Sequence, residues 1–304
     1  MDLEVKGVNY FMDGNSKIEK DKMKDSFKAL ILIVIFTLIN IFIPILNFIV
    51  FFIWPLPIIY LIVKYAYVNA FSVIIIAALI NGILLSPLIG LITVLGVGLT
   101  GFIIGGCLQE DMTPDKTLTC SIVAVLVSQF LILLILDQYL DFNFIVNNIR
   151  EFFDQVPELS HFEEMMEMQL VLIREIYPAL IVIFSMITGT VYYYVSLYYL
   201  NKKEFQLDSF TPIRYWYFSR WIISLGLIIT LFLRTNPIFL NINVILFFVC
   251  FIQGFAVGLY YIAENNKGNF LKILYVVAIF VLPFFPLILT LTGLSDMWFN
   301  FRKL

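Results

Sequence analysis

Charge is scarce in this chain. Its 304 residues include 19 Lys and Arg and 22 Asp and Glu, 13% in all, against 61% hydrophobic residues. So little polar surface cannot coat a soluble globule of this size. The net charge of −3, with no basic stripe interleaved with aromatics, excludes nucleic acid as a partner. Three cysteines, Cys107, Cys120 and Cys250, lie in or beside apolar runs without Cys-x-x-Cys spacing. That argues against a disulfide framework and a thiolate zinc site, and the three read as packing residues. Histidine occurs once, at His161. With Glu164 and Glu167 it is too poor in nitrogen and sulfur ligands for zinc, so these residues read as a solvated acidic face and no metal site is expected. Also missing are a nucleophile with its base, a phosphate-binding loop and a His/Cys/carboxylate constellation, so neither enzyme chemistry nor a cofactor is expected.

What fills the chain instead is a succession of apolar runs, at 27–45, 46–63, 70–86, 88–107, 118–138, 174–200, 219–234, 238–262 and 271–291. Each is about the length that crosses a bilayer core of about 30 Å as a helix, the form that satisfies every backbone group within its own segment. The expectation is an all-α polytopic membrane protein with about 8–9 transmembrane helices, its partners including membrane lipids. The leader 1–26 carries Lys6, Lys17, Lys20, Lys22 and Lys24 and lacks a small-residue cleavage site. It reads as a retained cytoplasmic segment, not a signal peptide. Alternation then places Lys64, Lys116 and the Lys202, Lys203, Arg214, Arg220 cluster inside and the acidic stretch 141–170 outside. Fusing 30–53 into one helix would reverse this and is rejected on the charge rule. Parity leaves Arg302 and Lys303 outside, against the charge rule, and Pro283 and Pro286 interrupt the last run.

The most specific local pattern is Ile53-Trp54-Pro55-Leu56-Pro57. Two prolines remove two amide donors and push Leu56 toward an extended backbone, so the second span cannot be one continuous helix. Either Pro-x-Pro starts a short helix at the outer interface with Trp54 as a belt aromatic, or 44–57 is an irregular loop folded over a pocket. The fourth span is rich in glycine: Gly90, Gly96, Gly98, Gly101, Gly105 and Gly106. Gly101-x-x-x-Gly105 and Gly254-x-x-x-Gly258 predict close helix crossings. Tyr192, Tyr193, Tyr194, Tyr198 and Tyr199 read first as an aromatic belt. In the outer stretch, Ile145, Ile149, Phe152, Phe153 and Val156, then Phe162, Met165, Met166 and Leu170, repeat at helical spacing around Pro157. They predict two surface helices that rest on headgroups or cover a cavity as a lid.

Polar residues at membrane depth are few: Asn40, Asn81, Thr93, Gln129, Asp137, Glu175, Ser185, Arg234 and Gln253. Such groups face a bundle interior, pair with one another or mark a substrate path. Asn81 and Gln129 stand out because neither can snorkel.

The run Ile43-Pro44-Ile45-Leu46, Pro55-Leu56-Pro57 followed by Lys64, the glycine-rich fourth span and the ending Gly293-Leu294-Ser295-Asp296-Met297-Trp298-Phe299-Asn300-Phe301-Arg302 resemble the YybS family of bacterial multi-span proteins. The first two-thirds is also similar in architecture to the S components of energy-coupling-factor transporters, the subunits that capture vitamins. Their first helix carries an Ala-x-x-x-Ala face for the coupling partner, where this chain has Ala29 and Ile33. The resemblance implies a cell-membrane protein in which 27–200 forms a six-helix domain, followed by a 201–304 extension. Small-molecule capture or transport then engages Trp54, Pro55, Pro57, Asn81, Thr93, Gln129, Asp137 and Glu175, while Gly98, Gly101, Gly105, Gly254 and Gly258 pack helices. With no nucleotide-binding motif, transport would need a separate energising subunit or an ion gradient. The alternative is a non-transporting scaffold or regulator that binds membrane-protein partners through its glycine faces.

Overall fold

A computed structural model describes residues 3–137, 163–233, 236, 238–265 and 268–304. Every regular element among them is helical, and seven helices are long and apolar enough to cross a membrane, or eight if one bent pair counts as a span. Large apolar side chains are exposed along most of these helices, as expected of surfaces that meet acyl chains. The chain divides into two compact units, one drawn from Met1–Leu140 and Ser185–Phe210, the other from Asp141–Phe184 and Thr211–Leu304. One boundary falls at 184/185, inside a single helix, and another at 210/211, inside the basic loop.

In the first unit, α1 (Leu3–Phe42) runs unbroken from the Lys-rich leader into the first apolar segment. Pro44 stops it by holding Ile43 extended and then opens α2 (Pro44–Phe51), where its missing N–H is harmless. A turn at 52–55 leads into α3 (Leu56–Tyr65), with Pro55 at the cap and Pro57 in the first turn. Of the two readings of 44–57, the irregular loop is therefore corrected to a helix, a tight turn and a second helix that the Pro-x-Pro begins. The turn keeps its backbone bonded through three-residue contacts: Ile53 N–H donates to Val50 at 3.1 Å and Leu56 N–H to Ile53 at 3.1 Å. The Phe51 carbonyl also accepts the Tyr192 hydroxyl at 3.2 Å. Tyr192 and Tyr193 are buried, so these two are core residues and not a belt, because each hydroxyl serves a backbone group: that of Tyr193 accepts the Phe210 N–H at 2.8 Å.

One residue, Ala66 at φ 76°, joins α3 to α4 (Tyr67–Leu84). Ser86 and Pro87 start the fourth span as α5 (Pro87–Ile92), which passes into a π-helical segment (Thr93–Leu99) and then α6 (Thr100–Gln109). Next comes α7 (Pro114–Leu136), and residues 185–202 of α8 (Glu163–Lys202) complete the unit. α3 lies directly on α6 because α6 presents no side chain there. A Cβ at Gly101 would stand 2.7 Å from Ile58, and one at Gly105 3.0 Å from Ile62. Gly98 meets Ile74 in the same way, at 2.9 Å.

In the second unit, residues 163–170 are the first turns of α8, not a separate surface helix carrying Met165, Met166 and Leu170. The 145–156 stretch, Phe162, His161 and Arg234 lie outside the described residues. Pro178 interrupts α8 by denying a donor and blocking its neighbour's bond. Asn241 repairs the gap: its amide accepts the Ala179 N–H at 2.9 Å and donates to the Glu175 carbonyl at 2.7 Å.

After a 3-10 turn (Ile213–Tyr215) come α9 (Arg220–Phe232), α10 (Ile238–Glu264), α11 (Asn269–Val281) and α12 (Phe285–Phe299). The seventh apolar run thus yields a helix of 13 residues, about 20 Å at about 1.5 Å per residue. That falls short of a bilayer core, so among the nine apolar runs this one supplies no spanning helix. The ninth run breaks at Pro283, so α11 and α12 meet at 113°. α10 and α12 cross backbone on backbone, since a Cβ on Gly254 would overlap the Leu289 carbonyl and one on Gly293 the Cys250 carbonyl. At Gly258 the neighbour is the Tyr275 hydroxyl.

Candidate functional site

The polar residues of the first unit converge on the start of the π-helical segment. Asn81, on α4 and 0% exposed, donates to the hydroxyls of Thr37 on α1 at 2.9 Å and of Thr93 at 3.1 Å. Each threonine already spends its own proton on the carbonyl four residues back, Thr37 on Ile33 and Thr93 on Ile89, both at 2.8 Å. Both hydroxyls are therefore acceptors toward Asn81, which fixes its amide: the NH2 is used up and Oδ1 faces no donor among the described residues.

Two more side chains on neighbouring elements are sunk without partners. Asn40 lies one turn beyond Thr37 on α1, and among the described residues neither its amide nitrogen nor its oxygen has a partner. Its backbone carbonyl takes the Asn47 amide at 3.0 Å, tying α2 to the end of α1. Trp54, from the turn between α2 and α3, is 8% exposed and lies against Gly96, 3.8 Å from where a Cβ would stand. Its indole N–H has no acceptor among the described residues. A buried polar atom left unbonded costs about 1–3 kcal/mol, so the end of the unit that holds Asn40, Trp54 and Asn81 carries an open demand for a donor and acceptors.

The π-helical segment shapes this region. Its wider turns loosen the backbone ladder, and side chains take the freed carbonyls. Ser128 of α7 donates to Leu95 at 2.7 Å, and Thr100 donates to Gly96. Short π segments inside α-helices recur at functional sites because they re-aim side chains that a regular helix would hold elsewhere.

Of the residues expected to bind a ligand, Trp54, Asn81 and Thr93 are gathered here, with Pro55 and Pro57 buried at the adjoining turn. Gln129 follows Ser128 on α7 and is half-buried. Asp137 is exposed at the end of α7. Glu175 belongs to the second unit and has an exposed side chain, while its carbonyl serves Asn241. Sequence reasoning passed over Thr37. Its signal was the stripe Ala29, Ile33, Thr37 at four-residue spacing, all three buried. The π-helical turn leaves no pattern in a sequence already rich in glycine.

The second unit has its own polar centre. The side chains of Asp296 and Arg302 are both 0% exposed and paired at 3.0 Å. Asp296 also receives the Gln253 amide at 2.6 Å, and the Gln253 carbonyl oxygen accepts the Phe218 N–H at 2.9 Å. Arg302 further donates to the carbonyls of Arg214 and Trp216, each at 2.7 Å. One ion pair thus ties the chain ahead of α9 to α10 and α12, which is structural work.

A bundle of apolar helices with buried side-chain networks defines a polytopic α-helical membrane protein. The chain belongs to the family described as Predicted membrane protein (DUF2232), whose profile matches residues 31–297 and so takes in both units. That agrees with the YybS resemblance. No curated protein and no solved structure matches the chain.

Proposed function

We propose that the first unit captures an uncharged polar small molecule at the end of the bundle formed by Asn40, Trp54 and Asn81, as a step in uptake across the cell membrane. The observation that carries this reading is the set of unbonded buried atoms on three separate elements: the Asn81 oxygen, the Trp54 N–H and the whole Asn40 amide. None of these groups is charged, which favours a neutral ligand bearing both donors and acceptors, such as an amide or a heterocycle. The architectural similarity to vitamin-capturing subunits points the same way. Ala29 and Ile33 are buried in the unit's own core, so an energising partner would have to dock elsewhere.

Asn40 gives the sharpest test, because its side chain makes no hydrogen bond among the described residues. Replacing it with Leu removes an unsatisfied amide, so Asn40→Leu should melt at or above the wild-type temperature and yet lose a co-purifying molecule seen by native mass spectrometry. If wild type carries no such molecule and Asn40→Leu keeps full cellular function, capture is wrong and the scaffold reading takes its place.

The same reading places the N-terminus in the cytoplasm, supported by the lysines of the leader and of the 201–220 segment. A cysteine introduced at exposed Asp137 should react with an impermeant maleimide on intact cells, and one at exposed Asp208 only after permeabilisation. The opposite labelling pattern would invert the topology.

A further inference from the structure

A second feature of the first unit lies along α1 on the leader side of Asn40, over residues 25–36. A cleft of about 260 Å³ opens between α1, α3 and the end of α8. Its mouth carries Asp25, Lys28, Tyr60, Tyr199 and Lys203, and its wall is apolar, with Leu32, Phe36, Ile53 and Leu56. The charges at the mouth do not cancel. Asp25 is already engaged: one carboxylate oxygen accepts from Lys64 at 2.6 Å, Tyr65 at 2.9 Å and Tyr60 at 3.3 Å. Lys28 and Lys203 are exposed, and among the described residues neither forms an ion pair with a carboxylate. Two ammonium groups therefore stand over an apolar trough.

The trough has the depth profile of a lipid. Lys28, Leu32 and Phe36 recur every four residues on one face of α1, so about 12 Å separates cation from innermost ring at about 1.5 Å per residue. On α3 the order agrees, from Tyr60 at the mouth through Leu56 to Ile53, which precedes it. We infer that this cleft holds an anionic phospholipid of the adjacent leaflet, its phosphate between Lys28 and Lys203 and one acyl chain along Leu32, Phe36, Leu56 and Ile53. A zwitterionic headgroup would bring its own cation against the two lysines and is disfavoured. An inorganic or esterified phosphate without a chain would leave the apolar wall unfilled.

Full-length protein in micelles doped with equal amounts of phosphatidylglycerol and phosphatidylcholine of the same acyl composition provides the test, read by native mass spectrometry. Wild type should retain phosphatidylglycerol preferentially, by roughly fivefold per lysine. The K28A/K203A double variant should bind both lipids equally, with an unchanged melting temperature because both side chains are exposed. Millimolar glycerol 3-phosphate should not displace the bound lipid. Equal retention by wild type, a preference that survives in the double variant, or displacement by glycerol 3-phosphate would each overturn the assignment.

Discussion

Asp296→Ala is expected to lower the melting temperature of the detergent-solubilised protein by roughly 10 °C, the largest single loss open to this chain. The Asp296 carboxylate is wholly buried and takes donors from Gln253 and Arg302. Its removal strands the guanidinium of Arg302 beside an unbonded amide. Breaking a buried pair from one side costs about 3–5 kcal/mol, much of a typical domain's total of about 5–15 kcal/mol. The reverse combination separates charge from packing. Asp296→Leu with Arg302→Met leaves no uncompensated charge and should regain most of the loss, because apolar replacements of buried pairs are often neutral. Differential scanning fluorimetry of the three proteins decides the matter, and a wild-type melting temperature for Asp296→Ala would show that the pair does not hold the second unit.

Gly254→Ala should be nearly as damaging, although it adds one methyl group. The new Cβ would overlap the Leu289 carbonyl, which belongs to the backbone of α12 and cannot rotate away. The two helices must then separate, and in lipid there is no hydrophobic gain from which to recover their lost contact. A fall of several degrees is expected from a cost of about 1–3 kcal/mol or more. Gly268→Ala is the internal control, since nothing lies within 4 Å of its added methyl. Equal melting of the two variants would remove the close crossing from the account.

The membrane class and the positions of the first six spans were legible because they depend on local apolar length. The glycine spacing at 101, 105, 254 and 258 was legible for a related reason, since a missing side chain is visible in sequence. Asn81 could be singled out because an amide at membrane depth has no route to water. Its orientation could not, because that depends on Thr37, 44 residues away, having already spent its proton. The same limit hid the role of Tyr192, whose partner Phe51 is 141 residues distant. For Arg302 the sequence offered only a side of the membrane, by parity, and no partner. The turn after α12 folds it back onto Asp296, and its bonds to Arg214 and Trp216 span 88 and 86 residues. Counts of apolar residues also overestimated the seventh segment, because mean hydropathy does not record that the helix begun at the Ser219 cap ends at Phe232, 13 residues on.

The repair of α8 by Asn241 has a consequence for biogenesis. Pro178 leaves the Glu175 carbonyl and the Ala179 amide open inside an apolar helix, and the side chain that closes them is synthesised 62 residues after Ala179. At about 5–20 residues per second, the nascent sixth span waits roughly 3–12 s for its partner. During that interval the open groups must be met by water, the insertion machinery or a neighbouring chain, since lipid offers no hydrogen bond. A ribosome that stalls between the basic loop and α10 would therefore leave behind an inserted but unsealed helix, the kind of intermediate that membrane quality control can recognise.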